Sequence, residues 1–337
     1  MFDTSLYSAA QVRELDRLVI EKFGVSGYEL MQRAGRFAYG VLKKTWPETS
    51  SIGVFCGHGN NAGDGYVLAK LAAEEGKEVY VINCFNPEKL KGDAKKTYQE
   101  LLTTNVKISD QNSVLSSVST LSQVIVDAIF GTGLTRDIDN ENLVSFIKMI
   151  NDSDRQVLSI DIPSGLNADT GNVMGVAVNA DVTATFMGRK RGMFTHDGCE
   201  YSGQIEFNNL DISPESYDEL GDSHCYLTHY YDFALDDKAI LATRKRNVHK
   251  GHFGHVLVIG GDEGYLGASQ MAAEAAMRVG SGLVSVATRK SHAAQLSIAV
   301  PEIMSHGVET PNELMPLIKR ANVIAIGPGL GQSEWAK

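Results

Sequence analysis

Four cysteines in 337 residues, with no Cys-x-x-Cys pair among them, leave no basis for a zinc site or a disulfide framework. Cys56, Cys84, Cys199 and Cys225 are each expected to be small buried hydrophobes in a reducing cytoplasm. Long apolar runs are missing too. None approaches the ~20 residues that span a bilayer, so no membrane partner is expected. The start, Met1-Phe2-Asp3-Thr4-Ser5, has neither the basic region nor the apolar core of a secretory signal. Positive charge is also short. The formal net charge of −10 argues against nucleic acid as a partner. What remains is ordinary globular composition, 43% hydrophobic and 21% charged, in a chain long enough for two domains.

Glycine is plentiful where it matters. Gly57-His58-Gly59-Asn60-Asn61-Ala62-Gly63-Asp64-Gly65 follows the apolar run 51–56 and precedes a helical pattern at Val67, Leu68, Leu71 and Ala72. Strand, glycine turn and helix N-terminus together bind anions, because free N–H groups and the helix dipole point outward. The stretch is neither the dinucleotide fingerprint, whose third glycine comes one residue sooner, nor a Walker A loop, which needs Gly-Lys-Ser/Thr. Its polar residues Asn60, Asn61 and Asp64 suggest a loop that also binds through side chains.

Ahead of it, Ser8 can cap a helix with Val12, Leu15, Leu18 and Val19 on one face. That helix is a candidate dimer element. A second helix carries a wide apolar stripe from Leu30 to Leu42, with Ala34 and Gly35 allowing close approach. Strands are expected at 51–56, 78–83, 106–108, 124–128 and 157–161, alternating with helices to about Gly76, from about Gly92, near 112–121 and at 141–151. Such alternation gives a doubly wound, mainly parallel α/β sheet of Rossmann type, with ligands beyond the carboxyl ends of its strands. Further strands are expected at 181–186 and 203–207, and one at 226–228. The acidic segment Asp211 to Asp222 reads as a linker-like loop. A second α/β unit starts near 230. It has strands at 255–259, 282–288 and 322–326, a helix through Met271 to Val279, and the turn Gly327-Pro328-Gly329-Leu330-Gly331. Gln332 to Lys337 resembles the start of a helix. The domains are set at 1–227 and 228–337, the second being incomplete.

Three strand ends converge in such a sheet. The first supplies residues 60–64. The fourth supplies Asp127-Ala128-Ile129-Phe130-Gly131-Thr132-Gly133-Leu134-Thr135-Arg136-Asp137, and the fifth Asp161-Ile162-Pro163-Ser164-Gly165-Leu166-Asn167. Backbone N–H groups of Gly131, Thr132 and Gly133 suit a pyrophosphate, and Arg136 can pair with phosphate. Asn61, Asp127 and Ser164 offer oxygen ligands without Cys or His, which suits a hard, weakly charged cation such as K+. Alternatively, Asp127 and Asp161 end their strands by accepting loop N–H bonds. His249, His252 and His255 have zinc-like spacing, but flank Gly251 and Gly254 in a loop and are expected to act as a loop contact. His58 is placed either against ligand or in solvent.

Asn60-Asn61-x-Gly63-Asp64-Gly65, Val126-Asp127-Ala128-x-Phe130-Gly131-Thr132-Gly133 and Asp161-Ile162-Pro163-Ser164-Gly165 resemble the signatures of NAD(P)H-hydrate epimerases, the YjeF N-terminal family. Lys250-Gly251-x-x-Gly254, Val258-Ile259-Gly260-Gly261, Gly264-Tyr265-x-Gly267-Ala268, Arg278-x-Gly280-x-Gly282-Leu283-Val284 and 327–331 resemble the start of ADP-dependent NAD(P)H-hydrate dehydratases, of ribokinase-like fold. The resemblance implies metabolite repair. The N-terminal domain would interconvert R and S hydrated NAD(P)H (NAD(P)HX), and the full-length protein would also dehydrate the S form using ADP. It implies that Asn60, Asn61, Ala62, Gly63 and Asp64, together with Gly131, Thr132, Gly133, Leu134, Thr135, Arg136 and Asp137, cradle the substrate. Asp161 would be catalytic, and Asn61, Asp127 and Ser164 would hold K+. Ala268, Gly329 and Gly331 would line the dehydratase site. Ala62 departs from the family's more usual Gly. The dehydratase's catalytic loop is expected beyond Lys337, so this chain is expected not to dehydrate. A homo-oligomer, dimer or higher, is expected. The alternatives are a non-catalytic nucleotide-binding scaffold and a small-molecule kinase of ribokinase type.

Epimerisation at C6 requires the hydroxyl to leave and return on the other face. The ring nitrogen expels it, an acid protonates it and a base activates the returning water. Asp161 is the candidate shuttle, stabilising the cation by its charge and kept protonatable by burial.

Overall fold

The structure, a computed structural model, describes residues 4–109, 122–228 and 244–337. The chain divides into two compact units, Met1–Phe233 and Ala234–Lys337. The piece expected as helical near 112–121 lies outside the described residues.

The first unit begins with a two-residue strand β1 (Leu6–Tyr7) that the sequence reading did not contain. Helix α1 (Ala9–Glu21) follows. Ser8 caps it as expected: the Gln11 N–H donates to Ser8 Oγ at 3.2 Å, and the Ser8 N–H donates back to Gln11 Oε1 at 2.9 Å. Helix α2 (Gly27–Thr45) buries the stripe predicted for it. Gly35 is required there, since a Cβ at that position would lie 2.5 Å from the Cβ of Val67.

Strands β2 (Ser51–Cys56), β3 (Glu78–Asn83), β4 (Lys107–Ser109), β5 (Val124–Ala128), β6 (Gln156–Ile160), β7 (Val182–Phe186) and β9 (Gln204–Asn208) form one sheet. Their order is β4-β3-β2-β5-β6-β7-β9 and every pairing is parallel. A short strand β8 (Arg189–Lys190) pairs with β1. Helices α3 (Asn60–Glu74) and α4 (Gly92–Leu101) pack with α2 on one face of the sheet, against Ile52, Val54, Val126 and Ile160. The helix Glu141–Asn151 packs on the other face against Phe55, Ile125 and Val157. Alternate strand residues thus serve opposite cores. The order reverses between β2 and β5, which opens a crevice at their carboxyl ends.

The acidic segment 211–222 is not a linker loop. Residues Pro214–Leu220 form a helix, with Pro at its first turn. Tyr217 stacks near Tyr7 at 6.1 Å between ring centroids, and Glu219 pairs with Lys22 at 2.6 Å. Docking by Tyr217 and Leu220 outweighs the segment's low apolar content. Residues 226–228 make only an isolated bridge, Ser5 with Tyr226. Cys56 and Cys84 are buried as expected, but Cys199 is exposed and Cys225 half-buried.

The second unit is a four-stranded parallel sheet, β12-β11-β10-β13, of β10 (His255–Ile259), β11 (Leu283–Thr288), β12 (Met304–Gly307) and β13 (Val323–Ile326). The helix Leu266–Arg278 stands where expected, but it buries Ser269 and Ala273 while Met271, Ala275 and Val279 of the expected stripe are exposed. Helices Lys290–Ala299 and Pro311–Ile318, with β12 between them, were not foreseen. The second of these contains Pro316, a residue that reads as a breaker. Residues 332–337 form turns rather than a helix, tied by Ser333 to Asp262 and by Trp335 Nε1 to the Val308 carbonyl at 2.7 Å.

Candidate functional site

The crevice at the β2–β5 switch point is a cavity of about 560 Å³. Each wall comes from a strand end or a helix that the sequence pattern already placed, and the geometry decides which residues reach it.

The β2 turn is shorter than expected. Gly57–Gly59 make the turn, and Asn60 is already the first residue of α3. No side chain caps that helix start, leaving its first N–H groups facing the cavity. Gly57 lets the turn pass under β5's continuation, for a Cβ there would lie 1.9 Å from the Ile129 carbonyl oxygen. Asn60, Asn61 and Asp64 line the cavity. Ala62 and Gly63 do not. The helical period turns Ala62 into the core and Gly63 against Met31 and Ala94.

From β5, Gly131 through Arg136 line the cavity, whereas Asp137 is absent from its wall. The Thr132 N–H, expected to face a phosphate, donates instead to Asp161 Oδ2 at 3.1 Å. Gly131 must be glycine, because a Cβ there would lie 2.6 Å from Asp161 Oδ2 and 3.5 Å from Asn61. Leu134 is half-buried; Thr135 and Arg136 are exposed at the rim.

Asp161 closes β6 in a left-handed conformation, φ 71°, at the centre of a three-residue turn in which the Ile162 N–H donates to the Ile160 carbonyl at 2.9 Å. That is the strained hand of γ-turn for an L-residue. Its other carboxylate oxygen pairs with Lys190. The Lys190 side chain is wholly buried and also donates to Thr185 Oγ1 at 2.9 Å and to the Phe186 carbonyl at 3.2 Å. The sequence reading missed Lys190. Lys190 lies four residues beyond β7, in β8, and nothing in the local sequence marks it.

Asp127 sits under the cavity, 0% exposed. Its oxygens accept from Ser164 Oγ at 2.6 Å, the Ser164 N–H at 2.8 Å, Ser159 Oγ at 2.9 Å and the Ile129 N–H at 3.2 Å. Burial raises its carboxyl pKa, and these four donors oppose that rise. Ser164 Oγ also accepts from the Phe130 N–H at 2.8 Å. Asp127 therefore does tie loops down, as the alternative reading held. Asn61 is different: both its amide oxygen and its amide nitrogen are buried without a partner. An orphaned buried oxygen beside loops fixed by Asp127 and Ser164 fits a weakly charged cation. Among the described residues, no cluster of His, Cys, Asp and Glu suits a harder-binding metal.

Two further acids border the cavity. Asp64 is buried and pushed well up by desolvation, then by Asp161 and Asp16. Asp16, on α1, is pushed up to about 6 by desolvation first and Asp161 second, with Lys190 pulling it back. The sequence reading gave Asp16 no role. His58 lines the cavity from an exposed position and stacks on Phe85 at 4.4 Å.

In the second unit, Ala268 and Gly329 are neighbours. A Cβ on Gly329 (φ 62°) would lie 3.2 Å from the Cβ of Ala268 and 2.4 Å from the Tyr265 carbonyl oxygen. Gly331 (φ 68°) lies near Asp262, whose N–H donates to the Gly329 carbonyl at 2.8 Å. His249 and His252 lie at a 3-10 turn, and His255 begins β10 beside Ser285.

A family model described as the YjeF-related protein N-terminus matches residues 27–192, and one described as NAD(P)H-hydrate dehydratase matches 256–337. The bifunctional NAD(P)H-hydrate repair enzyme Nnr of Coxiella burnetii is 43% identical over 334 residues, covering 99% of this chain and 66% of that protein. Nnr of Escherichia coli is 37% identical over 333 residues, covering 99% and 62%. The chain thus spans just under two thirds of the length of these relatives. The crystal structure of the yeast protein ynu0 (YNL200c) covers 66% of this chain and 96% of its own, with a TM-score of 0.56 at 21% identity, a likeness of fold. No helix among the described residues is long and apolar enough to cross a membrane.

Proposed function

The chain belongs to the YjeF-related N-terminal family, joined to an NAD(P)H-hydrate dehydratase segment, and from that premise we propose that its first unit interconverts the R and S forms of NAD(P)HX. The observation that carries the proposal is the Asp161–Lys190 pair held in a strained turn at the floor of the switch-point cavity. The hydroxyl at C6 leaves as the ring nitrogen lone pair forms an iminium-like cation. The Asp161 carboxylate faces that cation and takes a proton from the water returning to C6. Lys190 positions Asp161 and supplies no proton path of its own, being buried. The uncapped start of α3, with Gly131, Gly133 and Arg136, receives the phosphates. Asn60, Asn61, Asp64, Leu134 and Thr135 complete the substrate wall, with Ala62, Gly63, Thr132 and Asp137 shaping it from behind or from the rim.

Asn61, Asp127 and Ser164 would hold K+. Its contribution is to fix the three loops and satisfy Asn61, not to act as a strong Lewis acid. Ala268, Gly329 and Gly331 belong to the substrate side of an ADP-dependent dehydration of the S form, by the longer protein of the family. We assign the protein to the cytoplasm as a homo-oligomer, which fractionation and light scattering check.

The deciding experiment starts from mixed R and S NADHX. An intact dehydratase with ADP first consumes the S form, and this chain is then added. Rapid loss of the remaining R form, abolished by Asp161→Asn, supports the epimerase. Loss at the spontaneous rate, with the nucleotide still bound, favours the scaffold alternative.

A further inference from the structure

One face of α1, through Val12, Arg13, Asp16 and Ile20, borders the cavity, while Glu14, Arg17 and Glu21 pair among themselves outside it. Asp16 is the acid on the inner face. None of the described residues donates a hydrogen bond to its carboxylate. Asp16 is half-buried on the cavity wall, so water or a ligand there meets its carboxylate, whereas the wholly buried Asp127 is held by loop donors. The charged neighbours of Asp16 are Asp161, Lys190 and Asp64. α1 itself is pinned over the cavity, by Arg13 to the Thr132 carbonyl at 3.2 Å and by its Ala9 N–H to Asp169 at 2.8 Å. Its inner face is therefore fixed against the loop that contacts Asp161.

Resting on the epimerase proposal above, we propose that Asp16 is a second catalytic residue of this cavity, the acid–base partner of Asp161. Epimerisation needs two proton transfers. A protonated Asp16 gives its proton to the C6 hydroxyl oxygen. The C6–O bond breaks, its electron pair stays on the departing water, and the ring nitrogen lone pair forms the C=N bond. A water then adds to C6 from the other face, its electrons return the C=N pair to nitrogen, and its surplus proton goes to the Asp161 carboxylate. One proton has moved from Asp16 to Asp161, and the opposite epimer uses the reverse sequence. Lys190 serves as counter-ion of the pair, so a single shared proton leaves the three groups neutral overall.

The electrostatics agree with that geometry. Asp16, at about 6, exchanges its proton near neutrality. The other titratable groups lining the cavity are Arg13 on the same helix, His58 and Asp64 from the α3 side, Asp93 from α4, Arg136 from the β5 loop and Asp161. Asp64 is pushed well up, by burial first and then by Asp161 and Asp16.

The test uses the full chain with a single NADHX epimer in ¹⁸O-labelled water, following label entry and epimer ratio across pH 5–9. Asp16→Asn should lower kcat by about 10²–10⁴-fold and bind nucleotide within threefold of the parent. It should also remove the limb near pH 6 from the kcat/KM profile. Asp16→Glu should keep part of the rate and move that limb. The proposal is overturned if Asp16→Asn keeps a third or more of the rate while Asp161→Asn abolishes it; the epimerase assignment then still stands. If Asp16→Asn does not fold, Asp16→Glu decides, and an unshifted pH profile in that variant overturns the proposal. If the parent chain neither epimerises nor incorporates label, both proposals fall together.

Discussion

Lys190 and Asp16 both neighbour Asp161, and each makes a separate prediction. Lys190 is buried, and among the described residues its only carboxylate partner is Asp161. Removing one member of such a pair leaves the other desolvated and unpaired. Lys190→Met should cost about 3–5 kcal/mol in urea unfolding, and Lys190→Met/Asp161→Asn should recover a large part of that loss. A purely additive double variant would show that the pair is not coupled. Asp16 makes the second prediction. Its pKa is raised in the fold, so the native state holds the proton more tightly than the unfolded chain does. Stability therefore falls as pH rises from the unfolded value near 4 through about 6, and stays lower above it. Asp16→Asn should melt higher than the parent at pH 8 and close to it at pH 4. Equal melting points at pH 8 would place Asp16 in solvent rather than beside Asp161 and Asp64.

At the scale of elements, the strands are aimed by their neighbours and the loops by single atoms. The β5 loop approaches Asp161 closely only because Gly131 lacks a Cβ. Gly131→Ala should displace the Asp161 carboxylate by tenths of an ångström, lowering kcat by about 10–10²-fold with little change in melting temperature. A parent-like kcat would show that the contact does not position Asp161. The elements themselves were legible wherever a pattern was periodic and a turn followed. Strands 51–56, 78–83 and 124–128 and the Ser8 cap stand where alternation and capping chemistry put them. The helix at 214–220 was not legible, because two side chains, Tyr217 and Leu220, dock it and so short a segment shows no stripe. The two-residue pair β1–β8 was not legible either, since two residues carry no period.

The whole first unit is one parallel sheet whose order reverses once, and three strand ends are gathered at that reversal. A cation held by Asn61, Asp127 and Ser164 would therefore tie loops from separate strands together. K+ at 100 times its dissociation constant would stabilise the fold by about 2.7 kcal/mol. The melting temperature should rise in potassium chloride over tetramethylammonium chloride, and Asn61→Leu should abolish the difference. An equal rise in the variant would mean a general salt effect. By itself, the sequence determined the α/β class, the glycine turns and the three polar strand ends. These depend on the order of residues along the chain, through apolar runs, the helix period of 3.6 and the special backbone needs of glycine. Only the tertiary structure decided that Lys190 is the counter-ion of Asp161 and that α1 brings Asp16 to the same cavity. Only it sent the Thr132 N–H to Asp161 rather than to solvent. Lys190 and Thr132 each stand 29 positions from Asp161, and Asp16 stands 145. Their pairing is set by strand order and by burial, which raises the energetic weight of each charge, and neither leaves a periodic mark on the chain.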